Sequence, residues 1–109
     1  MNTLGMLRGY MAKNMDATRF IDEVTKTLSK EFNELVRVKM IKPGVYRIEL
    51  KDYKITMSED LINKLKSPYG VDRYILLKFE EQGFKFDRNR RQYIMYCFGN
   101  YIGATISSK

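Results

Sequence analysis

Residues 36–57 read VRVKMIKPGVYRIELKDYKITM, and this stretch constrains the fold more than any other. Apolar and charged residues alternate along it, the period of a strand with one buried face. A two-residue loop at Lys51 and Asp52 pairs Leu50 with Tyr53, Ile48 with Ile55 and Tyr46 with Met57, all on one face. A turn over 42–44 pairs Met40 with Tyr46, Val38 with Ile48 and Val36 with Leu50, on that same face. Gly44 supplies the left-handed position that such loops use. Pro43 disfavours the α conformation at Lys42, which argues for a wider loop there. The expected unit is a three-stranded antiparallel meander whose apolar face needs a cover.

The segment before it provides one. Ala17, Phe20, Ile21, Val24, Leu28, Phe32 and Leu35 recur at spacings of three and four, so a helix is expected over 16–34. Asn14 or Asp16 caps its start. After the meander, SEDLINKL begins with a serine cap followed by two acids, a second helix start. Ser67 and Pro68 form another, and Gly83 a stop, giving a largely apolar helix over 68–82. FKF, DRNRR and QYIMYCF then read as strand, turn and strand. The fold class is therefore α+β: an N-terminal helix packed on the meander, two further helices, and a C-terminal β-hairpin that extends the sheet or stands beside it. Residues 99–109 either add a strand or trail off. Residues 1–14 read as a leader to a single domain over 15–109, either frayed or forming a short amphipathic turn through Leu4, Leu7 and Met11.

Several chemistries are excluded by what is absent. The 109 residues contain no histidine and a single cysteine, Cys97. Zinc, copper and haem-type sites then lack ligands, and a His-activated nucleophile is impossible within the chain. Cys97 lies in an apolar stretch and reads as a buried, inert thiol in a reducing cytoplasm. No apolar run approaches the ~20 residues of a membrane span. No catalytic residue, metal or cofactor is expected.

Charge is the informative quantity. The net charge is +7, and it is unevenly spread. Residues 36–57 carry six basic side chains against two acidic, and 84–109 five against one, whereas 15–35 carry three against five. Basic strands and a basic turn form a field that attracts a polyanion. The expected function is a small non-enzymatic binding protein that contacts the backbone of DNA or RNA. Arg37, Lys39, Arg47 and Lys51 on the strands would do so together with Lys85, Arg88, Arg90 and Arg91 at the tip. Tyr93 beside that tip is a candidate to stack on a base. The same charges on a solvated sheet face also serve simply to keep strand edges apart. The alternative function is an accessory or inhibitory factor, of the kind phages and mobile elements encode, docking on an acidic protein surface.

Three partial resemblances bear on this. LLKFEEQGFKFDRNRRQYIMY, preceded by a short helix, resembles the helix, strand, Arg-rich tip and strand of winged-helix DNA-binding domains. That likeness implies a wing of Arg88, Arg90 and Arg91 along phosphates, while Ile75, Leu76, Leu77 and Phe79 replace the polar face of a recognition helix. The order helix, three strands, helix is similar to double-stranded-RNA-binding domains, whose lysine cluster is here the acidic SEDL. Glu49-x-Lys51 resembles part of a magnesium nuclease motif, without the further acid on the neighbouring strand.

Overall fold

The computed structural model describes the backbone of residues 3–99, with side chains from residue 5. Five helices and one sheet follow in the order α1 (Thr3–Asn14), α2 (Ala17–Phe32), β1 (Val36–Lys42), β2 (Val45–Leu50), β3 (Tyr53–Ser58), α3 (Glu59–Leu65), α4 (Gly70–Glu81) and α5 (Gln92–Cys97). The sheet is three-stranded in the order β1-β2-β3 and antiparallel throughout.

The register is the one the alternation implies. Val36 faces Leu50, Val38 faces Ile48 and Met40 faces Tyr46, while Leu50, Ile48 and Tyr46 face Tyr53, Ile55 and Met57. The first turn departs from expectation. Lys42 pairs with Val45, so only Pro43 and Gly44 span the turn, and the extra residue becomes a bulge between Met40 and Lys42. Gly44 has φ +77°. Proline followed by a residue at positive φ is the chemistry of a type II turn, whose twist matches a hairpin poorly. The bulge absorbs that mismatch, so the loop is tighter rather than wider.

α2 supplies the cover. Asp16 Oδ1 accepts the Arg19 N–H at 2.9 Å, and Asn33 at φ +53° ends the helix with its N–H bonded to the Ser29 carbonyl. Phe20, Ile21, Val24 and Leu28 are buried on one stripe and share the core with Ile48 and Leu50 of the sheet. Ser58 Oγ caps α3 through the Leu61 N–H at 3.0 Å. Ser67 Oγ accepts the Gly70 N–H at 2.9 Å at the start of α4.

Two regions differ from the sequence reading. The expected C-terminal hairpin is not formed by the described residues: 84–87 carry no regular structure and QYIMYC is α5. Tyr93, Ile94 and Cys97 are the buried positions, a spacing of one and four that a helix satisfies and a strand does not. Any strand from 100–109 lies outside the described residues. The leader, in turn, is α1, and it is fastened to α4 by a buried arginine. Arg8 donates to both Asp72 carboxylate oxygens at 2.6 Å and to the Pro68 carbonyl at 2.9 Å. Its guanidinium also lies 5.7–6.0 Å from the ring centres of Tyr69, Phe20 and Tyr93. Arg8 is 2% exposed and Asp72 0%.

Candidate nucleic-acid interface

One face of the sheet is packed on the helices and the other is turned away from them. The pairing places two rows of polar side chains across the outer face. Arg37, Glu49 and Lys54 form one row, and Lys39, Arg47 and Thr56 the next. Four cations therefore surround a single carboxylate. Glu49 is buried beneath them. It takes a hydrogen bond from Arg37 Nη2 at 3.0 Å, while Lys39 and Arg47 stand 3.9 Å away. Among the described residues only Arg37 is hydrogen-bonded to it, and four cations around one carboxylate leave this face with a net charge of three positives. Lys54 is the member that charge counting along single strands overlooks. The two-residue loop at Lys51 and Asp52 puts it opposite Glu49, and that arithmetic was available from the sequence.

The remaining predicted residues do not join this patch. Lys51 sits in the β2–β3 turn at φ +53° and pairs with Glu34 at 3.5 Å. The 84–91 segment belongs to the helical layer on the opposite side of the sheet. Arg88 pairs with Glu80 of α4 at 2.6 Å and lies 4.3 Å from the Phe98 ring centre. Arg90 pairs with Glu31 of α2 at 2.9 Å and lies 4.7 Å from the Phe32 ring centre, and Arg91 approaches Glu31 at 3.9 Å. Paired to an acid and laid over a ring, Arg88 and Arg90 fasten the irregular segment to α2 and α4. Lys85 is exposed, with no ion pair among the described residues. The tip is therefore not a wing of the winged-helix kind.

Tyr93 also leaves the set. It is 8% exposed, and its hydroxyl donates to Asp72 Oδ2. Burial first, and then the nearby Asp72 charge, push its pKa well above the ordinary phenol value. A ring held this way offers no face to a base. Cys97 shares the environment: it is buried, and desolvation raises its thiol above the usual range.

Glu49 answers the nuclease resemblance directly. Its neighbours in the sheet are Arg37 and Lys54, and its second contacts are Lys39 and Arg47. A cation surrounded by these side chains would be repelled, and among the described residues no group of His, Cys, Asp or Glu converges to hold a metal. No described helix is long and apolar enough to cross a membrane. Comparison with known protein families, with curated proteins and with solved structures finds no match to this chain.

Proposed function

We propose that this is a non-enzymatic binding protein whose working surface is the outer face of the sheet, and that this face takes the phosphate backbone of nucleic acid without reading bases. The observation that carries the reading is the pair of rows described above: Arg37, Lys39, Arg47 and Lys54 around one buried carboxylate. Lysine and arginine on a flat, open face meet phosphates at no steric cost. The face has no aromatic side chain, because Tyr46 and Tyr53 point to the core side. Backbone contacts without stacking give affinity that is electrostatic and indifferent to sequence.

The expected result is fixed by counterion release. A labelled duplex titrated at several salt concentrations gives a slope of log K against log salt of about −3, since each neutralised phosphate contributes about −0.9. Duplexes of unrelated sequence bind equally. A flat salt response, or strong preference among sequences, rejects the reading. Docking on an acidic protein is the second reading. It is favoured by exposed apolar side chains on and next to the edge strand β1, Leu35, Met40 and Ile41, which are 68%, 55% and 43% exposed. Capture from nuclease-treated lysate separates the two, because a nucleic-acid complex does not survive that treatment.

A further inference from the structure

The two outer strands of the sheet are finished differently. In a two-residue hairpin Leu50 and Tyr53 exchange backbone hydrogen bonds, so Lys54 turns its N–H and C=O away from β2. Gln82 at the end of α4 meets both: its Oε1 accepts the Lys54 N–H at 3.1 Å and its Nε2 donates to the Lys54 carbonyl at 2.6 Å. By the same alternation Val36, Val38 and Met40 turn their backbone groups away from β2 on the other side. Ser29 meets those of Val36, with Oγ accepting the N–H at 2.9 Å and donating to the carbonyl at 3.3 Å. Beyond Val36 the edge has no such cover among the described residues.

A groove runs beside this open edge, between β1 and α2. One part, of about 590 Å³, is lined by Lys26, Ser29 and Lys30 of α2 and by Leu35, Val38 and Lys39. It continues into a second part of about 310 Å³ lined by Arg19, Ile21, Val38, Met40 and Tyr46. Asp22 and Glu23 on the helix wall are both engaged by Lys26, at 3.3 and 3.7 Å. Lys26 offsets one of those two charges, and Arg19, Lys30 and Lys39 outweigh the other, so the rim is net positive.

We propose that the β1 edge from Arg37 to Met40 accepts an extended protein segment in which apolar and acidic residues alternate, added as a fourth strand. The pleat decides the pattern. Side chains of an added strand on the core side meet Val38, Met40 and the groove, and those on the outer side meet Arg37 and Lys39. A second copy of this chain is a poor occupant, because antiparallel β1–β1 pairing about Val38 sets Arg37 of each copy against Lys39 of the other. The inference rests on backbone groups and the groove, not on the phosphate-binding reading.

The test is backbone amide exchange by NMR on the intact chain, alone and with each of three probes. These are a capped eight-residue peptide alternating valine and glutamate, its valine–lysine counterpart, and an oligonucleotide. The valine–glutamate peptide is expected to slow exchange at Val38 and Met40 by about tenfold or more while leaving Lys54 unchanged. Its affinity exceeds that of the valine–lysine peptide by about tenfold, and the double variant Arg37→Glu/Lys39→Glu inverts the preference. Three results overturn the inference: binding of the acidic peptide without protection of Val38 and Met40, the same protection produced by the oligonucleotide, or concentration-dependent protection in the protein alone. Failure of oligonucleotide binding bears only on the phosphate reading, since that binding acts on the side chains of the outer face, Arg37, Lys39, Arg47 and Lys54, and leaves the edge amides exposed.

Discussion

Replacing Asp72 with alanine is expected to destabilise the protein by about 3 to 5 kcal/mol, the cost of leaving a buried charge without its partner. Arg8 is 2% exposed and its fork is satisfied by the Asp72 carboxylate and the Pro68 carbonyl. Burial alone would lower the guanidinium pKa, but the hydrogen bonds and charge of Asp72 outweigh it and hold the pKa above its ordinary value. Guanidinium is too basic to deprotonate near neutral pH even without that help, so the charge stays when Asp72 is removed; either α1 detaches to hydrate Arg8 or the whole domain loses stability. The Tyr93 hydroxyl loses its acceptor at the same time. Tyr93→Phe removes only that hydrogen bond and costs about 1 kcal/mol. Because the partners act as a unit, Arg8→Met combined with Asp72→Leu costs much less than the sum of the single changes. Urea unfolding of Asp72→Ala, Tyr93→Phe, Arg8→Met, Asp72→Leu and the double variant measures this, and a loss below about 1 kcal/mol for Asp72→Ala contradicts the buried pair.

The second large effect sets helix propensity against space. Alanine is a better helix former than glycine by about 1 kcal/mol, yet Gly70→Ala is expected to destabilise by about 2 to 3 kcal/mol, as overpacking does. A Cβ at Gly70 would fall well inside contact distance of the Leu65 carbonyl oxygen and Ser67 Oγ. The first is backbone and the second is held by its hydrogen bond to the Gly70 N–H. Neither yields cheaply, so the α3–α4 corner must open. Gly9, in the middle of α1, is the control. Nothing lies within 4 Å of a Cβ there, and Gly9→Ala follows propensity with a gain of about 1 kcal/mol. Thermal unfolding of the two variants should move in opposite directions. A neutral Gly70→Ala would mean that the corner is looser than its contacts imply.

The parts of the fold that the sequence made legible are those set by local period and loop length. The meander register followed from alternation plus a two-residue loop, and the helix over α2 from its apolar stripe and the Asp16 cap. What escaped depends on partners distant in the chain. α1 carries no strong apolar stripe; it is docked through Arg8 and Asp72, 64 residues apart, and no local pattern announces that pair. QYIMYCF is rich in strand formers, and a short apolar run of that kind does not reveal its period. Its helix is decided by where Tyr93, Ile94 and Cys97 find the core. For the site, the sequence located the cations but not their counter-ions. Glu80 and Glu31 pair with Arg88 and Arg90 at the tip, Glu31 lying 59 residues away from Arg90. On the sheet, strand register alone was enough to assemble the basic rows.

On the proposed function, nucleic acid lies on the sheet face and not on the arginine-rich turn. Fluorescence anisotropy of a labelled duplex across a salt series tests it with two triple variants. Arg37→Gln/Lys39→Gln/Arg47→Gln is expected to reduce the slope of log K against log salt by about 2 to 3 and to abolish measurable binding at moderate salt. Arg88→Gln/Arg90→Gln/Arg91→Gln should bind with nearly the wild-type slope, since Arg88 and Arg90 are already paired with Glu80 and Glu31, and Arg91, exposed and 3.9 Å from Glu31, stands apart from the sheet face. The reverse pattern, with the tip variant losing binding and the sheet variant retaining it, contradicts the account.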